Sequence, residues 1–439
     1  MEKKLTKFVT PAEAAKCVKS GDWVDYGFGA GFPELMDKAL AARKGELRDV
    51  KIRGGLVIRP RIEVVECDEA QESFSYYSWH IGDYERKLQS RGLVRFMPTI
   101  LRSLPYLYRE GHIRCDVAFV PVSKPDSEGY CGLGLSNYAW RAIFESAKTV
   151  VFEINEHYPT LKGVDGSHRV HVSEADYIVE GEHEPLPLRS YREASETDIA
   201  VAKNVVEYIP DGATLALGVG GVPFTVARML AESDKKDLGC HTGTISDAFL
   251  ELYRAGKLTN AKKNIDTGLS SWNLAMGSNE LYNWLEAEPN IFHPGDVDYI
   301  HCVEPIAMND NVISINGGVE LDLMGQENAE SAKTRQLSGI GGQLDFLEGA
   351  FRSKGGKGFI CINSSRVGKD GVRKSNIVSA ISAGSTVSAP RTMVQYVATE
   401  YGVANLAGKT LYERAEAMAS IAHPDFREEL MRYAKENFK

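Results

Sequence analysis

Apolar residues along this chain occur in two patterns. Some form short, nearly uninterrupted runs, and others recur at steps of three and four residues. The runs VKIRGGLVI (50–58), CDVAFVPVS (115–123), TVVFEIN (149–155), DYIHCVEP (298–305), NVISIN (311–316) and GGKGFICIN (355–363) predict buried strands. The periodic stretches PAEAAKCVKS (11–20), PELMDKALAARK (33–44), TDIAVAKNVVEYI (197–209) and PFTVARMLAES (223–233) predict helices with one apolar face. Strands apolar throughout, alternating with helices, predict mostly parallel sheets covered on both faces.

The chain also repeats itself. Residues 21–33 read GDWVDYGFGAGFP and residues 212–223 read GATLALGVGGVP. In each, a Gly opens a short strand, a pair of glycines follows (Gly27 and Gly29; Gly218 and Gly220), and a Pro closes the turn (Pro33; Pro223). A helical stretch stands before and after both copies, so the repeat is helix, strand, glycine turn, helix. This predicts an α/β protein of two similar open α/β domains arising from duplicated halves. The polar, proline-bearing stretch GEHEPLPLRSYREASE supplies the linker. The expected division is therefore 1–180, a linker at 181–196, and 197–439.

Glycine clusters gather in the second half. LGVGGVP (217–223) lies between a strand and a helix, where bare amides can face an anion or oxyanion. SINGGVELDLMGQ (314–326) and SGIGGQLDF (338–346) place paired glycines beside strand ends, where a ligand can approach the backbone closely. Together they suggest one shared cleft. In the first half, FVPVSKPDSEGYCGLGLSN (119–137) reads as a strand leading into a turn built on Pro125, Asp126 and Gly129.

Composition narrows the function. A net charge of −9 over 439 residues, with Lys and Arg dispersed, gives no footprint for nucleic acid. No apolar run is long enough to cross a bilayer, and the opening MEKKLTKFVTPAEAAKCVKSGD has no apolar core for a secretory signal, so a cytoplasmic protein without a membrane partner is expected. Seven scattered cysteines without a C-x-x-C pair point to reduced, mostly buried thiols. The histidines, among them His301 and His423, lack metal-ligand spacing, so no metal is expected; nor does a dinucleotide fingerprint with its downstream acid appear.

Four segments resemble family I coenzyme A transferases, in particular the butyryl-CoA:acetate and 4-hydroxybutyrate CoA-transferase group: GVGGVPFTVARMLAESDKKDLGCHT (218–242), SDAFLELYRAGKLTNAKKNID (246–266), SGIGGQLDFLEGAF (338–351) and ATEYGVANLAGKTLYERAEAMASIAHPDFREEL (398–430). The resemblance implies two open α/β domains with the active site in the cleft between them, and a homo-oligomer. It also implies an enzyme that moves CoA between a short-chain acyl-CoA and a carboxylate such as acetate. Its substrates would be acyl-CoA and small carboxylates, with no permanently bound cofactor. Carried over residue by residue, the CoA-binding positions are Gly218, Val219, Gly220, Gly221, Val222, Gly318, Gly341 and Ser364.

Catalysis in such enzymes is by a glutamate, which attacks the thioester, forms a mixed anhydride, and becomes a glutamyl-CoA thioester that the acceptor acid opens. The matching segment here is Cys240-His241-Thr242-Gly243-Thr244-Ile245-Ser246-Asp247, which puts Gly243 at the glutamate position. Three readings follow: a transferase that keeps CoA binding and loses this route, an acyl-CoA hydrolase using water where the carboxylate would stand, or a CoA-binding homologue without chemistry. Thr242, Thr244 and Ser246 offer hydroxyls that would need a positioned base, and His241 reads as structural because strand neighbours point to opposite faces.

Overall fold

A strand that runs into a glycine turn sits near the middle of each of two parallel sheets. The computed structural model describes residues 6–190 and 193–438, so residues 1–5, residues 191–192 of the expected linker, and residue 439 lie outside the described part. The chain forms two compact units, Met1–Arg189 with Ser271–Ile300, and Ser190–Ser270 with His301–Lys439. The second half is thus not one continuous unit. Residues 271–300 cluster with the first half.

In the first unit the strands are β1 (Lys7–Phe8), β2 (Trp23–Phe28), β3 (Val50–Gly55), β4 (Phe74–Ser78), β5 (Val94–Phe96), β6 (Val117–Val122), β7 (Thr149–Ile154) and β8 (Tyr177–Glu180). They lie in the order β1-β8-β7-β6-β2-β3-β4-β5, and every neighbouring pair is parallel. Winding runs outward from β2 in both directions, so its carboxyl end lies at a topological switch point. The reason these strands read as unbroken apolar runs is visible along β6. Val117 and Phe119 join one core cluster, while Ala118, Val120 and Val122 join the other. After β6 the chain turns on Asp126, whose carboxylate accepts from the amides of Glu128 and Tyr130 at 3.0 and 2.9 Å.

The second unit repeats the plan. The strands of its large sheet include β9 (Thr214–Leu217), β10 (Gly239–Ile245), β11 (Val312–Gly317), β12 (Lys357–Cys361), β13 (Tyr396–Thr399) and β14 (Gly402–Asn405). They run β10-β9-β11-β12-β13-β14, parallel except for the last pair. β9 takes the place of β2, with the next strand in sequence on one side and a later one on the other. The helix Glu196–Val206 before it is fixed by a capping box, in which the Ser195 hydroxyl accepts from the Asp198 amide. Along β12 to β14, Ile360, Val397 and Ala404 pack with Ala415, Met418 and Leu430.

The predicted strand at 298–305 is not one. Residues Val297–Ile300 and Val303–Met308 are helical. Val297, Ile300, Val303 and Ile306, all buried, recur at steps of three, a helical spacing that the apolar density of the segment concealed.

Candidate functional site

At the switch point of the second unit, β9 ends in Leu217 and the chain turns through Gly218, Val219 and Gly220 into the helix Gly221–Glu232. The Gly218 amide donates to the Ile315 carbonyl of β11 at 2.8 Å, which pins the turn to the sheet. A Cβ on Gly218 would stand 3.0 Å from that carbonyl oxygen. The helix carries no side-chain cap hydrogen bond at Gly220, and its amino end carries the positive end of the helix dipole.

Two cavities flank this turn. The larger, about 670 Å³, is lined by Val219, Gly220, Gly221, Val222 and Pro223, by Gly317 to Glu320, and by loop residues that include Asn328, Lys333, Arg366 and Asn376. Its size suits a ligand of cofactor dimensions. The smaller, about 90 Å³, is lined by Gly218, Thr242, Gly243, Thr244, His301, Asn316, Gly342 and Phe346, together with Ala216 and Leu217.

The smaller cavity holds an arrangement that sequence reasoning missed. His301 is 2% exposed, and its Nδ1 lies 3.1 Å from a carboxylate oxygen of the buried Asp345. Its Nε2 is buried without a hydrogen-bond partner in the protein. The ring packs edge-on against Phe346, with centroids 5.2 Å apart. It stands where a side chain on Gly243 would go: an added Cβ there would meet Cε1 at 2.9 Å and Nε2 at 3.1 Å. An added Cβ on Gly342 would overlap the same ring, 2.2 Å from Cε1 and 2.3 Å from Nδ1.

The neighbouring hydroxyls offer little. Thr242 donates weakly to the carbonyls of Leu217 and Thr244, at 3.4 and 3.3 Å. His241 is fully buried, outside the lining of either cavity, and near Asn309 at 3.5 Å.

A buried acid lies nearby in the chain fold, next to Asn328 of the larger cavity. Gln343 Nε2 donates to both carboxylate oxygens of Glu327, at 2.7 and 2.8 Å, tying the loop before Asn328 to the start of the helix Gln343–Arg352. Burial pushes the Glu327 carboxyl up from its ordinary 4.5 to about 8; donation from Gln343 opposes the rise and nearby Glu330 adds to it. A raised carboxyl stabilises the fold fully below its unfolded value, and that stability is lost as pH rises through 8. Stability is therefore expected to fall by about 1.4 kcal/mol per pH unit through the window between these values, a slope that Glu327→Gln removes. Urea unfolding at pH 6 and pH 8 measures it. Cys361, which lines the larger cavity, is likewise pushed up to about 12 by burial and stays a thiol.

Comparison with known proteins places these features in context. The acetyl-CoA hydrolase/transferase N-terminal domain matches residues 2–211, and the acetyl-CoA hydrolase/transferase C-terminal domain matches residues 277–434. The chain is 42% identical over 430 residues to the butyryl-CoA:acetate CoA-transferase of Anaerostipes caccae, spanning 98% of this chain and 96% of that one. The chain belongs to the acetyl-CoA hydrolase/transferase family. Another relative is the 4-hydroxybutyrate coenzyme A transferase of Clostridium kluyveri, 38% identical and matched over 98% of both chains. Among solved structures, RipA from Yersinia pestis superposes with a TM-score of 0.87 at 33% identity, over 98% of this chain and 97% of that chain. The family resemblance and the mixed α/β fold with parallel-sheet domains, both expected from sequence, are shown, as is the assignment to an enzyme family of CoA-transferases.

The residues carried over from the resemblance separate in space. Val219, Gly220, Gly221, Val222 and Gly318 line the larger cavity, and Gly218 and Gly243 line the smaller. Gly341 lines neither; it holds a left-handed φ of +56° one residue before Gly342. Ser364 is buried away from both, its amide and hydroxyl donating to the Glu400 carboxylate at 2.9 and 2.6 Å. Asn363 and Arg366 on either side of it line the larger cavity instead. The signal that could have found His301 is the three-residue apolar spacing around it, which marks the two short helices Val297–Ile300 and Val303–Met308 and leaves His301 at their junction. Among the described residues no cluster of three or more His, Cys, Asp or Glu could hold a metal ion, and no helix is long and apolar enough to cross a membrane.

Proposed function

We propose that the second unit binds a short-chain acyl-CoA thioester. The phosphate-bearing arm lies in the larger cavity and the thioester carbonyl reaches the smaller one past Gly218. The observation that carries this reading is that one turn, Leu217–Pro223, supplies lining to both cavities, joining a slot of cofactor size to a small polar chamber. The uncapped helix start at Gly221 and the exposed cations Lys333 and Arg366 suit an anionic ligand. The reaction class is that of the relatives, exchange of CoA between a short-chain acyl-CoA and a carboxylate such as acetate, with Gly243 at the glutamate position.

A second reading, hydrolysis of the same thioester, is favoured by one observation. The space beside Gly243 contains an imidazole with an unpaired nitrogen.

Incubation with butyryl-CoA and acetate separates the two. Transfer gives acetyl-CoA without net thiol, whereas hydrolysis gives free thiol whether or not acetate is present. Binding itself is tested by calorimetry. Lys333→Glu and Arg366→Glu are each expected to weaken CoA about tenfold, the effect of losing one charge-assisted phosphate contact. Absence of any affinity for CoA or butyryl-CoA in the unmodified protein would remove the reading.

A further inference from the structure

We propose that His301, oriented by Asp345, is the general base that activates water against the bound thioester, so that this protein cleaves acyl-CoA without a glutamate nucleophile. The assignment rests on the acyl-CoA reading above and names the group that would perform its hydrolytic form.

The geometry is that of a positioned base. Asp345 is fully buried and its carboxylate lies 3.1 Å from His301 Nδ1. A carboxylate only accepts, so this contact assigns the ring proton to Nδ1 and leaves Nε2 as the acceptor. That acceptor is buried, has no partner in the protein, and belongs to a residue lining a chamber of about 90 Å³. A buried acceptor left unpaired is costly, and such groups recur where a ligand or water completes the bond. The chamber has room for a water beside an acyl group, since a water takes about 30 Å³. Asn316 also lines it and brings an amide, the donor type that steadies a tetrahedral oxyanion.

The ring can stand there only because two positions lack side chains. Added Cβ atoms on Gly243 and Gly342 would lie 2.9 and 2.2 Å from Cε1. The same glycine that removes a carboxylate nucleophile therefore admits an imidazole, which makes the substitution a change of chemistry in addition to a loss.

In the step, the water oxygen attacks the thioester carbonyl carbon while its proton passes to Nε2, and the carbonyl pair moves onto oxygen. Collapse restores the carbonyl and breaks the C–S bond. The leaving thiolate takes the proton from the imidazolium, so acyl-CoA and water become a carboxylic acid and CoA thiol. His301 touches the reacting water and is the catalytic residue; Asp345 acts through it and is a positioning residue.

The test uses the full chain with butyryl-CoA in ¹⁸O-labelled water. The unmodified protein is expected to release thiol without acetate and to place one ¹⁸O in butyrate. H301Q should bind butyryl-CoA with unchanged affinity and release thiol on the order of 10²–10⁴-fold more slowly. D345N should lower kcat with KM unchanged, a split that general loss of structure would not give; it decides the matter if H301Q fails to fold. The proposal is overturned if the unmodified protein binds butyryl-CoA and releases no thiol, if H301Q hydrolyses at the original rate, or if an acyl-sized mass adduct appears on His301. Failure to bind butyryl-CoA at all would instead defeat the reading on which it rests.

Discussion

Gly243→Glu combined with His301→Ala is expected to produce acetyl-CoA from butyryl-CoA and acetate, with a CoA-sized mass adduct on the chain, whereas Gly243→Glu alone is not. The single substitution puts its Cβ 2.9 and 3.1 Å from atoms of the His301 ring and 3.2 Å from Phe346. The ring is held in place by Asp345 at Nδ1 and lies close to the Gly342 backbone. Overpacking of this kind costs about 1–3 kcal/mol, so the single variant should unfold earlier in urea and form no CoA adduct. Removing the imidazole opens the chamber to the new carboxylate, which can then attack the carbonyl and carry CoA as a thioester. Transfer should rise on the order of 100-fold or more over the unmodified chain. A double variant that binds CoA yet gains neither adduct nor acetyl-CoA would show that position 243 is not the glutamate position.

Gly342→Ala should have the second largest effect. Its Cβ would fall 2.2 and 2.3 Å from Cε1 and Nδ1 of His301, distances that no relaxation of a few tenths of an ångström accommodates. The backbone at Gly342 is unstrained, with φ of −102°, so the cost is purely steric and comes from displacing a buried ring. Destabilisation of about 1–3 kcal/mol is expected, with loss of the His301–Asp345 contact and of thiol release. CoA affinity should persist, since Gly342 does not line the larger cavity. Equilibrium unfolding, calorimetry with CoA and a thiol assay on one preparation check all three. Unchanged stability would mean that the ring is not boxed in as described.

Much of the architecture was readable along the chain. The unbroken apolar runs at 117–122 and 149–154 became central strands because helices cover both faces of the sheet, and a strand buried twice has no polar side to display. The repeated glycine openings marked the two central strands, since winding outward from one strand requires a sharp turn at its carboxyl end. The segment 298–305 was misread because a short, densely apolar run looks alike as strand and as helix, and that reading concealed the one histidine facing Gly243. Ser364, carried over from the resemblance on a looser local match, has its hydroxyl on Glu400, a partner no local window contains.

Periodicity, turn chemistry and the glycine at position 243 are local properties, written into neighbouring residues, and the amino-acid order determined them unaided. The meeting of His301, Asp345, Gly243 and Gly342 is not local. It arises because parallel strands are joined by long crossovers, so residues far apart in the chain arrive at the same strand ends only once the sheet has formed. Tertiary structure alone decided that the space beside Gly243 is filled by an imidazole.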